Sequence, residues 1–438
     1  LNAGITVSPS LLRSTLFMTG YEEWKLDEKP VLDGRDATDP MSYIEHADYM
    51  YQFAARFGHT KVADSNLKLR ADQPRVSGLG VLKYFENWNE QDAWWMNRKA
   101  YFTPYEYAAM ASADADGHMG ALGPNKGIKA ADPTAKVVMS GVAIPHLDHV
   151  RTLKFWSDHH RGGDFPLDVI NVHHYCNDGE AQRSLGSVGI SPEDDDLKGV
   201  MEKFVHYRAR YLPGVEVWIT EFGYDSNSES IQGAPQIGPN DGLEVQGQWM
   251  VRSYLALAAA GVDKAAMYML RGVNSDSPYL FQTCGLMGPK GDWTPKPSWY
   301  YVYTMKNRFT GMAFEKEIPS GNPNVWIYQF RHKESGDALY AVWSPTSNNT
   351  KVDNYQLQLN GESNAYLVEM QHGDKDGVVN QLSISNNRVN INVSERPVFV
   401  MAGNYNELPI RHTLDEKMTL TPSMIVNESG KGNAQLLV

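Results

Sequence analysis

The chain has 438 residues, enough for two or three domains. Its apolar content of 42% and charged content of 21% exclude wholesale disorder. With 40 basic and 52 acidic residues the net charge is −12, so we expect neither a nucleic-acid partner nor binding to an anionic membrane. The longest apolar stretch, residues 254–261, is too short to span a membrane. Two cysteines, Cys176 and Cys284, exclude a disulfide framework but leave one bridge open, and no feature sets an oligomeric state.

The first two thirds of the chain alternate β-type segments with helical patterns. Strands are predicted over residues 5–12, 81–90, 136–143, 168–175, 216–223 and 264–270. Helices are predicted over residues 41–57, 104–113, 149–160, 196–211 and 244–260. Strands that alternate with helices indicate parallel βαβ units, and near-continuous apolar runs suit a sheet buried on both faces. Polar residues follow the ends of these strands, where the active sites of such sheets lie.

From about residue 310 the pattern changes to short alternating runs separated by turn residues. This pattern predicts an antiparallel β-sandwich over residues 310–405, which we expect to stabilise the first domain rather than to bind sugar. Residues 1–309 form the predicted catalytic domain, and residues 298–309 form its last helix. The tail, residues 406–438, has no clear place in either domain.

Two carboxylates end predicted strands on the same side of the sheet. Glu90 closes the segment Trp88-Asn89-Glu90, and Glu221 shares its strand face with Val217 and Ile219. Two opposed carboxylates are what cleavage of a glycosidic bond requires, because one protonates the leaving oxygen and the other attacks the anomeric carbon or activates water. A single glutamate at a strand end means little, but the pair together favours this chemistry.

Two other glutamates compete with this pair. Glu86 has the same parity as Glu90 but lies about 13 Å deeper at the rise of a strand. Buried there, it would need a cationic partner such as Lys83 or an arginine. Glu216 opens its strand and therefore lies at the wrong end of the sheet.

Residues 84–92 (YFENWNEQD) and 217–224 (VWITEFGY) resemble the paired signatures of clan A glycoside hydrolases. The resemblance covers roughly residues 1–403. Within the clan, the layout of the chain resembles the β-xylosidase-like and agarase/porphyranase-like branches. It implies a (β/α)8 TIM barrel followed by a β-sandwich, and a retaining hydrolase that cleaves a poly- or oligosaccharide by double displacement. In that scheme Glu90, ending strand four, is the acid/base, and Glu221, ending strand seven, is the nucleophile.

The resemblance also implies binding roles for residues near the two glutamates. Asn89 would hydrogen-bond the sugar hydroxyl next to the reacting carbon, Tyr175 would contact Glu221, and His173 or His174 would line the floor of the site. Clan members carry a tryptophan at the end of strand eight, where this chain has Tyr268 to Arg271, so Trp293 or Trp249 is expected to replace it. Other expected sugar-binding residues are Arg271 (for an anionic sugar), Trp88, Trp94 and His146.

By this strand count, residues 5–12 are strand three, and strands one and two are absent. We therefore expect the chain, which begins with Leu1, to be a fragment of a longer protein. Residues 15–39, including Trp24, are expected to form a large loop at the mouth of the site. A polymeric substrate would place the protein in the periplasm, on the cell surface or in the medium.

Two alternatives compete with this interpretation. The first is a carbohydrate-binding protein without catalysis, and the second is a metal-dependent hydrolase that uses His173 and His174. Adjacent histidines on a strand point to opposite faces, so we expect no metal cofactor.

A structural calcium site is a separate question. Residues 112–117 (SADADG) resemble half of a calcium loop, but Gly123 occupies the position of the last carboxylate, so a solvated loop is favoured. Residues 33–39 leave a structural calcium open.

Overall fold

A computed structural model describes residues 6–21, 27–179 and 187–403 of the chain. The predictions for Trp24 and for the tail, residues 406–438, lie outside these residues. Within the described part of the chain, no helix combines the length and the apolar character of a membrane span. Both cysteines are free thiols, so the bridge that the sequence left open does not form.

The first domain is built on a parallel sheet of five strands. They are hydrogen-bonded in chain order: β1 (Tyr84–Glu86), β2 (Lys136–Val138), β3 (Val169–His173), β4 (Glu216–Glu221) and β5 (Lys264–Ala265). The segment before β1 extends the sheet through one parallel bridge between Ser10 and Glu86, where the Leu11 amide donates to the Glu86 carbonyl at 2.8 Å. In the described residues no strand pairing joins that segment to β5, so the sheet is open there.

Eight helices pack around this sheet in the described part of the chain: α1 (Leu16–Thr19), α2 (Ile44–Phe57), α3 (Pro104–Asp116), α4 (Ile128–Ala131), α5 (Leu147–His160), α6 (Leu197–Tyr211), α7 (Gly242–Ala260) and α8 (Pro297–Arg308). Two 3-10 turns, Pro40–Tyr43 and Asp64–Asn66, accompany them. Local capping fixes the start of α3, where Thr103 and Glu106 form a reciprocal capping box. Apolar faces of these helices and the sheet form one continuous core.

The second domain is an antiparallel sandwich. Its strands are β6 (Met312–Glu317), β7 (Trp326–His332), β8 (Ala338–Trp343), β9 (Lys351–Gln358), β10 (Asn364–Gln371), β11 (Asp374–Leu382), β12 (Arg388–Ser394) and β13 (Val398–Gly403). Six strands in the order β11-β10-β13-β8-β7-β6 form one sheet, and β12 and β9 form the other. The large sheet packs its second face on α7 and α8, so it joins the two domains through an apolar layer.

The fold class expected from the sequence, a parallel α/β domain followed by an antiparallel sandwich, is confirmed. The parallel strands are shorter than predicted, and of the strand predicted at residues 5–12 the described part, residues 6–12, contributes a single bridge. The prediction of a solvated loop at residues 112–117 is wrong. Ser112 to Asp116 lie in α3, where Asp114 is buried against His46 and Asn87, and Asp116 pairs with Arg161, so neither is free to bind calcium.

Candidate active site

Two glutamates and a histidine meet at the carboxyl ends of the parallel strands. Glu221 is the last residue of β4, and His173 is the last residue of β3. Glu90 follows β1 with a left-handed φ of 47°, and its amide donates to the Gly141 carbonyl at 3.0 Å. This turn directs Glu90 back over the strand ends, toward the other two side chains.

The geometry brings both carboxylates onto the same imidazole. His173 Nδ1 lies 3.3 Å from Glu90 Oε1 and 3.6 Å from Glu221 Oε2. One oxygen of each carboxylate and the His173 nitrogen all lie within 4.8 Å of one another. The hydroxyl of Tyr175 donates to Glu221 Oε2 at 2.8 Å. We call Glu90, His173 and Glu221 the inner cluster.

Close packing fixes the ring of His173. Its Nε2 lies 3.2 Å from Thr220 Oγ1, and the ring covers Gly141, where a Cβ atom on that residue would come within 2.1 Å of Nε2. Only glycine fits under the ring. The imidazole therefore has one position, in which Nδ1 faces the two carboxylates.

The charges of the inner cluster are strongly coupled. Burial alone lowers the pKa of His173, but the carboxylates of Glu221, Glu90 and Glu86 outweigh it and raise that pKa to about 9. At neutral pH the ring is therefore an imidazolium. Burial raises the pKa of Glu221, while His173 and the Tyr175 hydroxyl act in the opposite direction. One buried cation thus offsets the negative charge that the two glutamates share.

Glu86 lies beneath the inner cluster, and its predicted cationic partner is absent. Its Oε1 instead accepts the Gly141 amide at 3.1 Å and the Asn171 side-chain amide at 3.1 Å. Burial raises the pKa of Glu86 to about 7, although the charge of His173 and the hydrogen bonds from Gly141 and Asn171 act in the opposite direction. The expectation that a lysine or arginine would pair with Glu86 is wrong for the described residues, where the cation that acts on Glu86 is His173.

A cavity of about 650 Å³ opens beside these carboxyl groups. Its lining includes Asn89, Glu86, His173, Glu221 and Tyr268, and it extends between residues 6–10 and β5. Asn89 makes no side-chain hydrogen bond to the described residues, so its amide is available to a ligand. Tyr268 is half-buried, and burial, followed by the charge of Glu221, raises its pKa. Tyr268 therefore lines the same cavity as Glu221, in the segment where the sequence resemblance expects a tryptophan.

The prediction that Trp88 and Trp249 bind sugar is wrong. Trp88 is 5% exposed and packs against His46 and Phe102. Trp249 is 1% exposed and packs against Tyr224. Neither indole has a free face for a sugar ring, because both belong to the core.

The other expected contacts are at the surface. Trp94 and Trp293 are 58% and 46% exposed, and Trp94 contacts Trp95 edge-on. Arg271 and His146 are exposed as well. These four side chains are accessible, and their contact with a sugar stays a prediction.

His174 does not join the floor of the site. Its side chain leaves the opposite face of the strand and hydrogen-bonds Asp195. His173 therefore fills the floor position alone, as the alternation of strand side chains requires. Sequence reasoning missed Asn171 and Thr220, which share hydrogen bonds of 2.7–2.9 Å and contact Glu86 and His173. For Asn171 the sequence did offer a signal: it lies two residues before His173 in the same strand, so the two side chains point to the same face.

Solved structures similar to this chain are glycoside hydrolases. A family 39 glycoside hydrolase from Bacteroides cellulosilyticus WH2 shares 15% identity and covers 85% of this chain and 83% of its own, with a TM-score of 0.48. A GH30 endoxylanase from Clostridium papyrosolvens C71 shares 12% identity over 74% of this chain and 66% of its own, with a TM-score of 0.47. A family 44 xyloglucanase from Paenibacillus polymyxa shares 15% identity over 75% of this chain and 67% of its own, with a TM-score of 0.45.

These low identities and TM-scores say nothing about the reaction of this chain. No protein-family model and no curated protein matches it.

Proposed function

We propose that the protein is a retaining glycoside hydrolase that cleaves a poly- or oligosaccharide by double displacement. One observation carries this proposal: an oxygen of Glu90 and an oxygen of Glu221 lie within 4.8 Å of each other, and Glu221 lines an open cavity. Retaining enzymes hold their two carboxyl groups about 5–5.5 Å apart, whereas inverting enzymes need about 6.5–9.5 Å to admit a water molecule. The distance between the nearest oxygens of Glu90 and Glu221 is compatible with the retaining spacing.

Glu221 is the better nucleophile of the pair. The Tyr175 hydroxyl donates to one of its oxygens, and His173 faces the same oxygen, so the carboxylate has a fixed direction. Attack by the carboxylate on the anomeric carbon forms a glycosyl ester as the bond to the leaving oxygen breaks. Glu90 gives its proton to that oxygen, and it then takes a proton from the water that cleaves the ester.

His173 supports both steps from below. As an imidazolium it hydrogen-bonds Glu90 Oε1 and lies near Glu221 Oε2, so it compensates the negative charge that moves between the two carboxyl groups. Its fixed ring needs no rearrangement during the reaction. It acts as a positioning residue, since no substrate atom needs to touch it.

The walls of the cavity suit a sugar. Asn89 offers a free amide beside Glu221, and Tyr268 offers a half-buried ring. Outside the cavity, Trp94 and Trp293 would supply stacking faces and Arg271 would recognise an acidic sugar. We place such an enzyme outside the cytoplasm, because a polymer does not enter the cell.

A screen of polysaccharides tests the proposal. The wild-type chain and the Glu221→Gln variant are incubated with a panel of xylans, glucans, agars and arabinans, and reducing ends are counted. Proton NMR of the first product then reports the anomeric configuration. We expect hydrolysis with retention by the wild type alone. Inversion, or equal activity of the variant, would contradict the mechanism, and binding without hydrolysis would favour the carbohydrate-binding alternative.

A metal-dependent hydrolase is a second candidate, because the inner cluster itself offers three ligand atoms. In that case His173 would be a neutral ligand rather than an imidazolium. The two candidates differ in their metal requirement. A glycosidase of the proposed kind keeps its activity when chelated protein is assayed at a temperature at which it is folded, whereas a metal hydrolase loses it and regains it with added metal.

A further inference from the structure

A second cluster of ligand-type side chains lies on the opposite face of the same strand end. His174 and Cys176 are two residues apart, and both lie beside Asp195, whereas Tyr175 between them hydrogen-bonds Glu221 of the inner cluster. Asp195 reaches them from the turn before α6, and His174 Nε2 hydrogen-bonds its Oδ2. One ligand atom from each of the three residues lies within 4.8 Å of the other two. We call His174, Cys176 and Asp195 the outer cluster.

The outer cluster is partly enclosed. Cys176 is 4% exposed, whereas the side chains of His174 and Asp195 keep 15% and 14% of their surface. The buried hydroxyl of Tyr224 contacts the Cys176 thiol. An ion can enter from solvent on the side of His174 and Asp195, which keep part of their surface exposed.

The donor set selects the ion. A thiolate, an imidazole and a carboxylate together fit Zn²⁺, which accepts sulfur, nitrogen and oxygen in a tetrahedron and tolerates three protein ligands with a fourth from water. Bonds of about 2.0–2.3 Å to the metal keep tetrahedral ligand atoms within 4 Å of one another, which is compatible with the 4.8 Å span of this cluster. Calcium and magnesium require oxygen ligands and do not suit a thiol.

We propose that His174, Cys176 and Asp195 bind a zinc ion that fastens the turn before α6 to the end of β3. One backbone contact already joins these segments: the Ile190 amide donates to the Cys176 carbonyl at 3.2 Å. The ion would add a second link directly behind His173. Its role is structural, because the outer cluster faces away from the cavity beside Glu221.

Cobalt binding to the whole chain tests this proposal, with a control built into the sequence. The protein is treated with a chelator, dialysed and titrated with CoCl₂, because a Co²⁺–thiolate bond gives a charge-transfer band in the near ultraviolet. We expect one equivalent of Co²⁺ with that band, displaced by ZnCl₂. The Cys176→Ser variant should lose the band and bind Zn²⁺ at least about 100-fold more weakly. Cys284→Ser removes the only other thiol and should behave like the wild type.

Two further variants keep the result unambiguous. Asp195→Asn should weaken Zn²⁺ binding while it retains the shape of the side chain, which covers the case in which Cys176→Ser does not fold. Glu221→Gln should leave the band unchanged, because it alters only the inner cluster. Absence of the band in the wild type, its persistence in Cys176→Ser or its loss in Cys284→Ser would overturn the proposal. None of these readings depends on glycosidase activity.

Discussion

The end of strand β3 presents two adjacent histidines to two different environments. His173 points into the sheet domain, where it lies between Glu90 and Glu221, and its pKa rises to about 9. His174 points outward, where it meets Asp195 beside Cys176. The residue type and the position along the chain are almost the same. The difference shows that strand parity, rather than the presence of histidine, decides which chemistry each side chain serves.

The two clusters also differ in how their charge is balanced. The inner cluster contains its own cation, the imidazolium, together with a third carboxyl group in Glu86 that holds a proton near neutrality. The outer cluster combines a thiol with a carboxylate and a single imidazole. A bound divalent ion would balance the negative charges of the Cys176 thiolate and the Asp195 carboxylate. The first arrangement suits proton transfer, and the second suits a structural metal.

The largest expected effect is the loss of the nucleophile. Glu221→Gln should lower kcat by more than about 10³-fold, because the glycosyl ester can no longer form. The measurement is hydrolysis of the substrate found in the polysaccharide screen. Glu216→Gln is the matched control: it changes the other end of the same strand, where Glu216 pairs with Lys264, and should keep the activity. Comparable losses in both variants would show a structural effect.

Removal of the acid/base should have a smaller effect that depends on the leaving group. Glu90→Gln should lower kcat/KM about 10²–10⁴-fold on a natural glycan. With a dinitrophenyl glycoside the first step should be nearly unaffected, because that leaving group departs without a proton. Burst kinetics with the two substrates measure this difference. The same loss with both leaving groups would assign Glu90 another role.

Exchange of each histidine separates the two faces directly. His173→Gln should reduce kcat/KM about 10–100-fold, since a charge-assisted hydrogen bond contributes about 1.5–3 kcal/mol. His174→Gln should change kcat/KM far less but should lower the melting temperature in the presence of zinc. Both variants are assayed at a temperature at which circular dichroism shows them folded. A larger kinetic loss in His174→Gln would invert the assignment of the faces.

The smallest expected effect is a change in the pH dependence of stability. The pKa of Glu86 is raised from 4.5 to about 7 in the folded protein, so its stabilising contribution is present below pH 4.5 and is lost as the pH rises to about 7. This loss amounts to at most about 3 kcal/mol. Glu86→Gln keeps an acceptor for Gly141 and Asn171, and its free energy of unfolding should fall less over this range.

Urea denaturation at several pH values measures the comparison between wild type and Glu86→Gln. His173 contributes a separate loss between pH 6.5 and about 9, because its pKa is raised and the stability gained from its protonation disappears as the ring deprotonates. That loss should persist in the variant, although it should end at a lower pH, because the missing carboxylate lowers the pKa of His173 in the folded protein. Identical slopes between pH 4.5 and 7 would contradict the assignment of Glu86.

The sequence predicted the inner cluster better than the remainder of the site. Parity within β4 placed Glu221 at the strand end with Val217 and Ile219 behind it, and this is a local property. The predictions for Trp88 and Trp249 were wrong because a tryptophan at helical or strand spacing is equally consistent with a core position and with a sugar-binding surface. The partners of Glu86 were missed because Gly141 and Asn171 are neutral and lie elsewhere in the sheet, Gly141 after β2 and Asn171 in β3.

The outer cluster shows what spacing does not reveal. His174 and Cys176 are readable as a pair with common parity, but Asp195 joins them only because the turn before α6 folds back on β3. Such a contact depends on the tertiary path of a loop, and no zinc spacing in the sequence announces it. The prediction that no metal binds rested on spacing alone and stays open to the cobalt experiment.

Double displacement through Glu221 is tested most directly by trapping the glycosyl ester. The protein is incubated with a panel of dinitrophenyl 2-deoxy-2-fluoroglycosides, whose fluorine slows hydrolysis of the ester after the dinitrophenolate has left, and the labelled peptide is identified by mass spectrometry. We expect one equivalent of label on Glu221, absent in Glu221→Gln. A label on Glu90 or Glu86, or hydrolysis with inversion and no label, would show that the mechanism is wrong.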